Sequence, residues 1–180
     1  MPGWRNVTNV AVSLGTNAGN REANLSAMLT ELRRILDDPL AFSRVMETEP
    51  VDVPDSQVWF LNVIVSGNYA GNAHELLCDC RTIEHALLRK RPFKNAARTA
   101  DVDILLYGRE SIGSNELTVP HPQIANRRFC LEGLRRIAPG RYIAAHGQTV
   151  AELYERMPAS IKQQRIIFHG MPDQSYFTME

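Results

Sequence analysis

Residues 94–107 read K-N-A-A-R-T-A-D-V-D-I-L-L-Y, and the second half of this stretch decides the fold. Asp101, Val102, Asp103 and Ile104 alternate acid with apolar, and Leu105, Leu106 and Tyr107 then run apolar up to Gly108. Short apolar and β-branched runs that end at a glycine read as strands. On a strand, residues i and i+2 face the same side, so Asp101 and Asp103 point together, roughly 6.5–7 Å apart at the backbone. Val102 and Ile104 point the other way, into a core. Two like charges side by side on a core strand are costly without compensation. Divalent cations supply it, and hard oxygen ligands suit Mg²⁺. Arg98 lies just upstream, within reach of an anion held by the same metals. Cation, metal and paired carboxylates together suggest a polyphosphate site. An edge strand with two solvated aspartates accounts for the same residues, and this stretch alone does not choose between the two.

A chain of 180 residues is expected to form one domain with a real core, over residues 7–158, followed by a tail at 159–180. The formal net charge is zero, so no bulk attraction to nucleic acid or to a membrane surface is expected. Nothing approaches a transmembrane span, and the opening Met1-Pro-Gly-Trp lacks the apolar core of a signal peptide. Cys78, Cys80 and Cys130 are odd in number and badly spaced for a disulfide frame or a zinc site. They read as reduced thiols, and the cytoplasm follows by default. There is no internal repeat and no low-complexity segment.

Working outward, residues 7–14 read as a first strand, followed by the turn Gly15-Thr-Asn-Ala-Gly-Asn20. That turn lacks the lysine of a phosphate loop and reads as a plain strand-to-helix connection. Asn20 is the expected N-cap of a helix with Leu25, Met28, Leu29, Leu32, Ile35 and Leu36 on one face, stopped at Asp37-Asp-Pro39. Residues 41–49 read as a second strand. Residues 58–69 read as a third, with Phe60, Asn62 and Ile64 on one face and Leu61, Val63 and Val65 on the other. Asn72-Ala-His-Glu75 resembles a capping box and opens a second helix, with Leu76, Leu77, Cys80, Ile83 and Leu87 inward. A basic loop over residues 89–97 leads into the 94–107 stretch, the fourth strand. The order β-α-β-β-α-β is the ferredoxin-like one, an α+β fold with an antiparallel sheet and helices packed on it. C-terminal additions follow: a short strand near 110–113, a helix over about 127–137 stopped by Pro139-Gly140, and a helix over 149–157. The tail is expected either to add a strand or to stay mobile.

From about Val10 to Pro139 the chain resembles 6-hydroxymethyl-7,8-dihydropterin pyrophosphokinases. The most specific match is basic–small–small–Arg–x–x–Asp–apolar–Asp–apolar–apolar at residues 94–105. S-L-G-T-N, E-T-E-P-V, F-L-N, I-E, V-P-H-P and R-R-F match in order along the chain. The resemblance implies transfer of pyrophosphate from ATP to the hydroxymethyl group of the pterin, giving the pterin diphosphate and AMP in folate biosynthesis. It implies two Mg²⁺ ions on Asp101 and Asp103, and Arg89, Arg98, His121 and Arg127 on the triphosphate. It implies ATP contacts also from Arg81, Glu84, Ile104 and Thr118. For the pterin it implies a sandwich between Phe60 and Phe129, with Asn62, Thr48, Val51 and Asp101 beside it. Asn62 shares the strand face of Phe60, so its amide suits the edge of a flat ring. The only partners expected are these small molecules, and the chain is expected to be a monomer or weak dimer.

The chain departs from the family where a basic-Trp-Gly-Pro-Arg run is replaced by Lys94-Asn-Ala-Ala-Arg98, without the Trp and Pro. Residues 89–97, rich in cations and lacking an aromatic anchor, are expected to be mobile until MgATP orders them. Two alternatives keep the same fold: a paralogue acting on another pterin, and a non-catalytic pterin- or nucleotide-binding module. An RNA-binding domain of that fold is disfavoured, since no aromatic RNA-recognition signature is present.

Overall fold

The protein, described from a computed structural model over residues 7–51, 57–87 and 97–172, is built around β1 (Thr8–Thr16). This strand pairs antiparallel with β4 (Phe60–Tyr69) on one side and with β5 (Asp101–Tyr107) on the other. β4 also pairs antiparallel with β2 (Asp37–Phe42) and β3 (Met46–Thr48), and β10 (Ile166–Phe168) adds to β3. The order across the sheet is β10-β3-β4-β1-β5, with β2 beside β4.

Side chains alternate along each strand, which gives the sheet two apolar faces. Val10, Val12, Leu14, Leu61, Val63, Val65, Val102 and Ile104 form one core with α1 (Arg21–Ile35) and α2 (Ala73–Ala86). Ala11, Ile64 and Leu105 form a second core with α3 (Arg128–Ile137) and α4 (Val150–Glu155). Burying one such Val, Leu or Ile is worth roughly 1.5–3 kcal/mol, so each face holds its own pair of helices. β5 carries one extra residue against β1 between Ile104 and Leu106, a bulge that leaves Leu105 and Leu106 both in the second core. α3 lies close to the sheet at Gly133, where an added Cβ would stand 2.2 Å from Ile64 Cγ1.

The helix starts follow their local chemistry. Asn20 Oδ1 accepts from Ala23 N–H at 3.0 Å. Asn72 accepts from His74 and Glu75 N–H while Glu75 takes the Asn72 N–H, the reciprocal pair expected from the spacing. Thr149 and Glu152 do the same for α4.

The second strand differs from its expectation. It begins at Asp37, directly after α1, and is split into β2 and β3, both lying against β4. Asp37-Asp-Pro39 therefore opens a strand as well as following a helix. The C-terminal additions comprise the hairpins β6 (Ile112–Gly113) with β7 (Thr118–Val119) and β8 (Tyr142–Ile143) with β9 (Gln148–Thr149), then α5 (Ala159–Lys162) before β10. Of the two expectations for the tail, the added strand is realised over Ile166–Phe168. The expectation for the loop at 89–97 falls, save for Ala97, outside the described residues. No helix among the described residues is long and apolar enough to cross a membrane.

Candidate active site

The sheet face under α3 is apolar for only part of its length. Toward the end of β1 it turns polar, and strand register says why. Gly15 stands opposite Asn62 on β4 and Asp101 on β5, and Ser13 stands opposite Ile64 and Asp103. Residues directly opposite one another put their side chains on the same face. Asn62, Gly15 and Asp101 therefore form one row across three strands. A Cβ at position 15 would come within 2.9 Å of Asn62 Oδ1, so glycine keeps this floor open. Thr48 pairs with Phe60 and with Ile166, which brings the edge strands onto the same surface. The start of α3 and the C-terminal segment close a cleft of about 650 Å³ over it.

Part of the cleft lining is charged. Arg98 donates through Nη1 to Asp101, and its guanidinium lies 6.0 Å from the Phe60 ring centre. Among the described residues, Arg98 Nε is buried with no hydrogen-bond partner. A buried donor of this kind fits an incoming anionic oxygen. Arg127 Nη1 stands 3.7 Å from Asp103 Oδ2, and His121 Nε2 stands 4.0 Å from the same oxygen. Burial pushes the His121 imidazole down to about 4, Arg127 pushes it the same way, and Asp101 opposes them. The ring is therefore neutral near pH 7. Its Nδ1 accepts from Gln123 N–H at 3.2 Å, which leaves the proton on Nε2, facing Asp103.

Beside these charges the lining is aromatic and neutral. Phe60 and Phe129 line the cleft with Val51 and Pro50, and a Cβ on Gly15 would stand 3.8 Å from both Phe60 Cδ1 and Asp101 Cβ. Asn62 Nδ2 donates to Thr48 Oγ1 at 2.9 Å, so the amide is held in one orientation over the floor. Such a cleft takes a ligand that joins a flat, hydrogen-bonding ring to negative charge. Among the described residues, no three His, Cys, Asp or Glu side chains gather to hold a metal by themselves. Asp101 and Asp103 fit Mg²⁺ nonetheless, since that ion usually takes one or two carboxylates and fills its remaining positions with phosphate and water.

Residues 11–139 match the family described as 7,8-dihydro-6-hydroxymethylpterin-pyrophosphokinase (HPPK), well over half of the 180 residues. The chain belongs to this pyrophosphokinase family. It is 38% identical over 133 residues to a Bacillus subtilis 2-amino-4-hydroxy-6-hydroxymethyldihydropteridine pyrophosphokinase, covering 73% of this chain and 79% of the relative. It is 38% identical over 125 residues to a mitochondrial folate synthesis bifunctional protein of Arabidopsis thaliana, covering 69% of this chain but 22% of that protein. A solved structure of Plasmodium falciparum HPPK-DHPS wild type with pteroate superposes with a TM-score of 0.69 at 14% identity, over 90% of this chain and 47% of the other. At that identity the likeness is one of fold.

In this pyrophosphokinase-family chain, Thr48, Val51, Phe60, Asn62, Arg98, Asp101, Asp103, Arg127 and Phe129 meet in one cleft, although they come from four separate stretches. His121 reaches its edge through Asp103. Glu84 accepts from Val102 N–H at 2.9 Å, beside the start of β5. Arg81 lies on the exposed side of α2, 3.9 Å from Glu116. Ile104 points into the α1/α2 core, and Thr118 is exposed on β7. None of Arg81, Glu84, Ile104 or Thr118 lines the cleft. Arg89 lies outside the described residues.

The sequence reading missed Ser13, Gly15, Gln123, Asn126, Ile161, Gln164, Arg165 and Ile166, all of which line the cleft. A signal for the first two was present. On β1, Ala11, Ser13 and Gly15 are small where Val10, Val12 and Leu14 are large, and small residues on one strand face mark a surface approached closely. The C-terminal residues carry no local signal.

Proposed function

We propose that this protein transfers a pyrophosphoryl group from ATP to the hydroxymethyl oxygen of 6-hydroxymethyl-7,8-dihydropterin, releasing the pterin diphosphate and AMP as a step of folate synthesis. The observation that carries the reading is one cleft lined both by Asp101, Asp103 and Arg98, whose Nε is unsatisfied, and by the aromatic rings of Phe60 and Phe129. In the transfer, the hydroxymethyl oxygen bonds to the β-phosphorus and gives up its proton. The bond from that phosphorus to the oxygen bridging to the α-phosphate breaks, and AMP leaves with the electron pair.

Two Mg²⁺ ions belong to this proposal: Asp101 and Asp103 hold them, and they supply positive charge against the triphosphate. Arg98, Arg127 and the neutral His121 take phosphate oxygens, the arginines by their planar forks. Arg89 is assigned the same role from the resemblance, which also assigns contacts with the rest of the nucleotide to Arg81, Glu84, Ile104 and Thr118. Phe60 and Phe129 hold the pterin between them, Asn62 reads its edge, and Thr48, Val51 and Asp101 complete its contacts. Positioning and charge stabilisation are most of what phosphoryl-type transfer asks of a protein.

Counting β2 and β3 as one interrupted strand makes the succession β-α-β-β-α-β with the first strand between the third and the fourth, which supports the ferredoxin-like assignment. We read the chain as one domain acting as a monomer or weak dimer. Three free thiols, two of them buried, suit the cytoplasm.

A second reading keeps the chemistry and changes the pterin. It is favoured by Arg165 and Gln164 lining the cleft alongside Phe129. The experiment that tests the first reading mixes the protein with Mg²⁺, ATP and 6-hydroxymethyl-7,8-dihydropterin and separates the nucleotides. AMP formed in step with pterin diphosphate supports it. ADP, or AMP formed only with a differently substituted pterin, overturns it.

A further inference from the structure

α3 opens without a local cap. Its N-cap position is Arg127, whose side chain makes no capping hydrogen bond. A helix start leaves several backbone N–H groups without partners inside the helix, and a nearby Ser, Thr, Asp or Asn ordinarily accepts from one of them. Here the acceptor comes from much further along the chain. Gln164 Oε1 accepts from Arg128 N–H at 2.8 Å, and Gln164 Nε2 donates to Asn126 O at 2.8 Å. One amide thus grips the backbone on both sides of Arg127. Arg128 returns the contact, donating from Nη1 to Lys162 O at 3.0 Å and to Gln164 O at 3.1 Å.

The gripped turn carries two residues of the site. Arg127 faces Asp103 at 3.7 Å, and Phe129 lines the cleft. The segment that supplies Gln164 is itself held. Ile166 pairs with Thr48 on β3, and Arg165 lies 4.7 Å over the Trp59 ring and 3.6 Å from Glu49 Oε2. Residues 161–166 therefore cross from the start of α3 to β3, and Ile161, Gln164, Arg165 and Ile166 all line the cleft. All of them lie beyond the residues 11–139 that match the family.

We infer that Gln164 is a positioning residue for the pterin: by capping α3 from the C-terminal segment it sets where Phe129 and Arg127 stand. The inference rests on the pterin reading of the cleft. The effect falls mainly on one substrate. The grip bears on Phe129 and on Arg127, while Arg98 is held by Asn17 and Asp101, and Asp101 stands on β5 paired with β1. Loss of the amide therefore loosens the pterin contact, and it leaves the triphosphate the groups other than Arg127.

The test is steady-state kinetics on the full chain with Gln164→Ala, Gln164→Glu and, as a surface control, Gln163→Ala. Gln164→Ala is expected to raise KM for the pterin roughly tenfold or more, the scale of a small misplacement of a binding group, with KM for ATP within about twofold. Gln164→Glu keeps the oxygen that accepts from Arg128 N–H and loses the donor to Asn126, so its pterin KM falls between wild type and Ala. Should Gln164→Ala not fold, the Glu variant carries the test: a raised pterin KM with unchanged ATP KM supports the inference, and no change in either overturns it. Equal rises for both substrates also overturn it, since they mark a general loosening. Calorimetric titration of the wild type with the pterin separates the two levels. A wild type that neither binds the pterin nor forms AMP overturns the reading of the site. A wild type that does both, beside an indistinguishable Gln164→Ala, overturns the inference alone.

Discussion

Asn17 and Arg98 hold each other in both directions: Asn17 N–H donates to Arg98 O at 2.9 Å, and Arg98 N–H donates to Asn17 Oδ1 at 2.8 Å. The Asn17 amide also donates to Gln57 Oε1 and Val58 O, at 3.0 and 3.2 Å. The turn after β1, which reads as a plain connection, is thus the mount of the arginine beside the paired aspartates. Asn17 is buried, and Asn17→Ala takes the acceptor from the partly buried Arg98 N–H. Stability is expected to drop by about 1–3 kcal/mol, and turnover with it. Urea unfolding and kcat measured on the same preparation check this, and unchanged kcat would show that Arg98 needs no mount.

Asp103→Asn is expected to fold normally, because removing one of two same-face carboxylates relieves repulsion. Its turnover should fall at least roughly 10²-fold, the scale of losing a preorganised electrostatic group. Asp101→Asn should fall further, since it also releases the Arg98 guanidinium from its ion pair. Turnover as a function of Mg²⁺ concentration is the measurement. Normal rates in either variant would remove that aspartate from the site.

Phe129→Ala should weaken pterin binding by roughly 1–3 kcal/mol, the worth of stacking one flat base on an aromatic ring. ATP affinity should hardly change. Separate calorimetric titrations decide, and equal losses for both ligands would mark Phe129 as core only.

Gly133 lies one helical turn after Phe129 on α3, with its Cα pressed against Ile64. Gly133→Ala gains helix propensity but overpacks this contact, at a net cost of about 1–3 kcal/mol. The pair Gly133→Ala with Ile64→Ala should be less unstable than the sum of the two single changes, because each makes room for the other. Additive losses would mean that α3 shifts freely off the sheet.

Glu47 joins three parts of the chain: its carboxylate takes Arg21 Nη1 at 2.7 Å and stands 3.2 Å from His169 Nε2. The Arg21 bond holds its carboxyl below the usual range, His169 adds to this, and burial opposes it. A carboxylate with a lowered folded value contributes stability above its unfolded value, here near 4.5, and loses it as pH falls through the folded value. Glu47→Gln should therefore be less stable than wild type by about 1–3 kcal/mol at pH 7, and the gap should close as pH falls below 4.5. Urea unfolding at several pH values measures it. A gap that is independent of pH would assign Glu47 a packing role.

Sequence alone determined the features that depend on near neighbours. Alternation placed Asp101 with Asp103 and Phe60 with Asn62, since side-chain direction on a strand repeats every two residues whatever the partner strand. Asn20 and Asn72 announced their helices because a cap acts within three residues. Tertiary structure decided what depends on register and on distant partners. Nothing local says that Gly15 falls between Asn62 and Asp101, because register is set by how three strands pair. The break between β2 and β3 belongs to the same class: residues 41–49 read as one strand, and only their pairing with β4 starts the strand at Asp37 and divides it. Gln164 sits in a stretch of weak periodicity, yet it caps a helix 36 residues earlier in the chain. A capping amide needs only to be brought within hydrogen-bonding distance, and it is the packing of β10 on β3 that brings this one there.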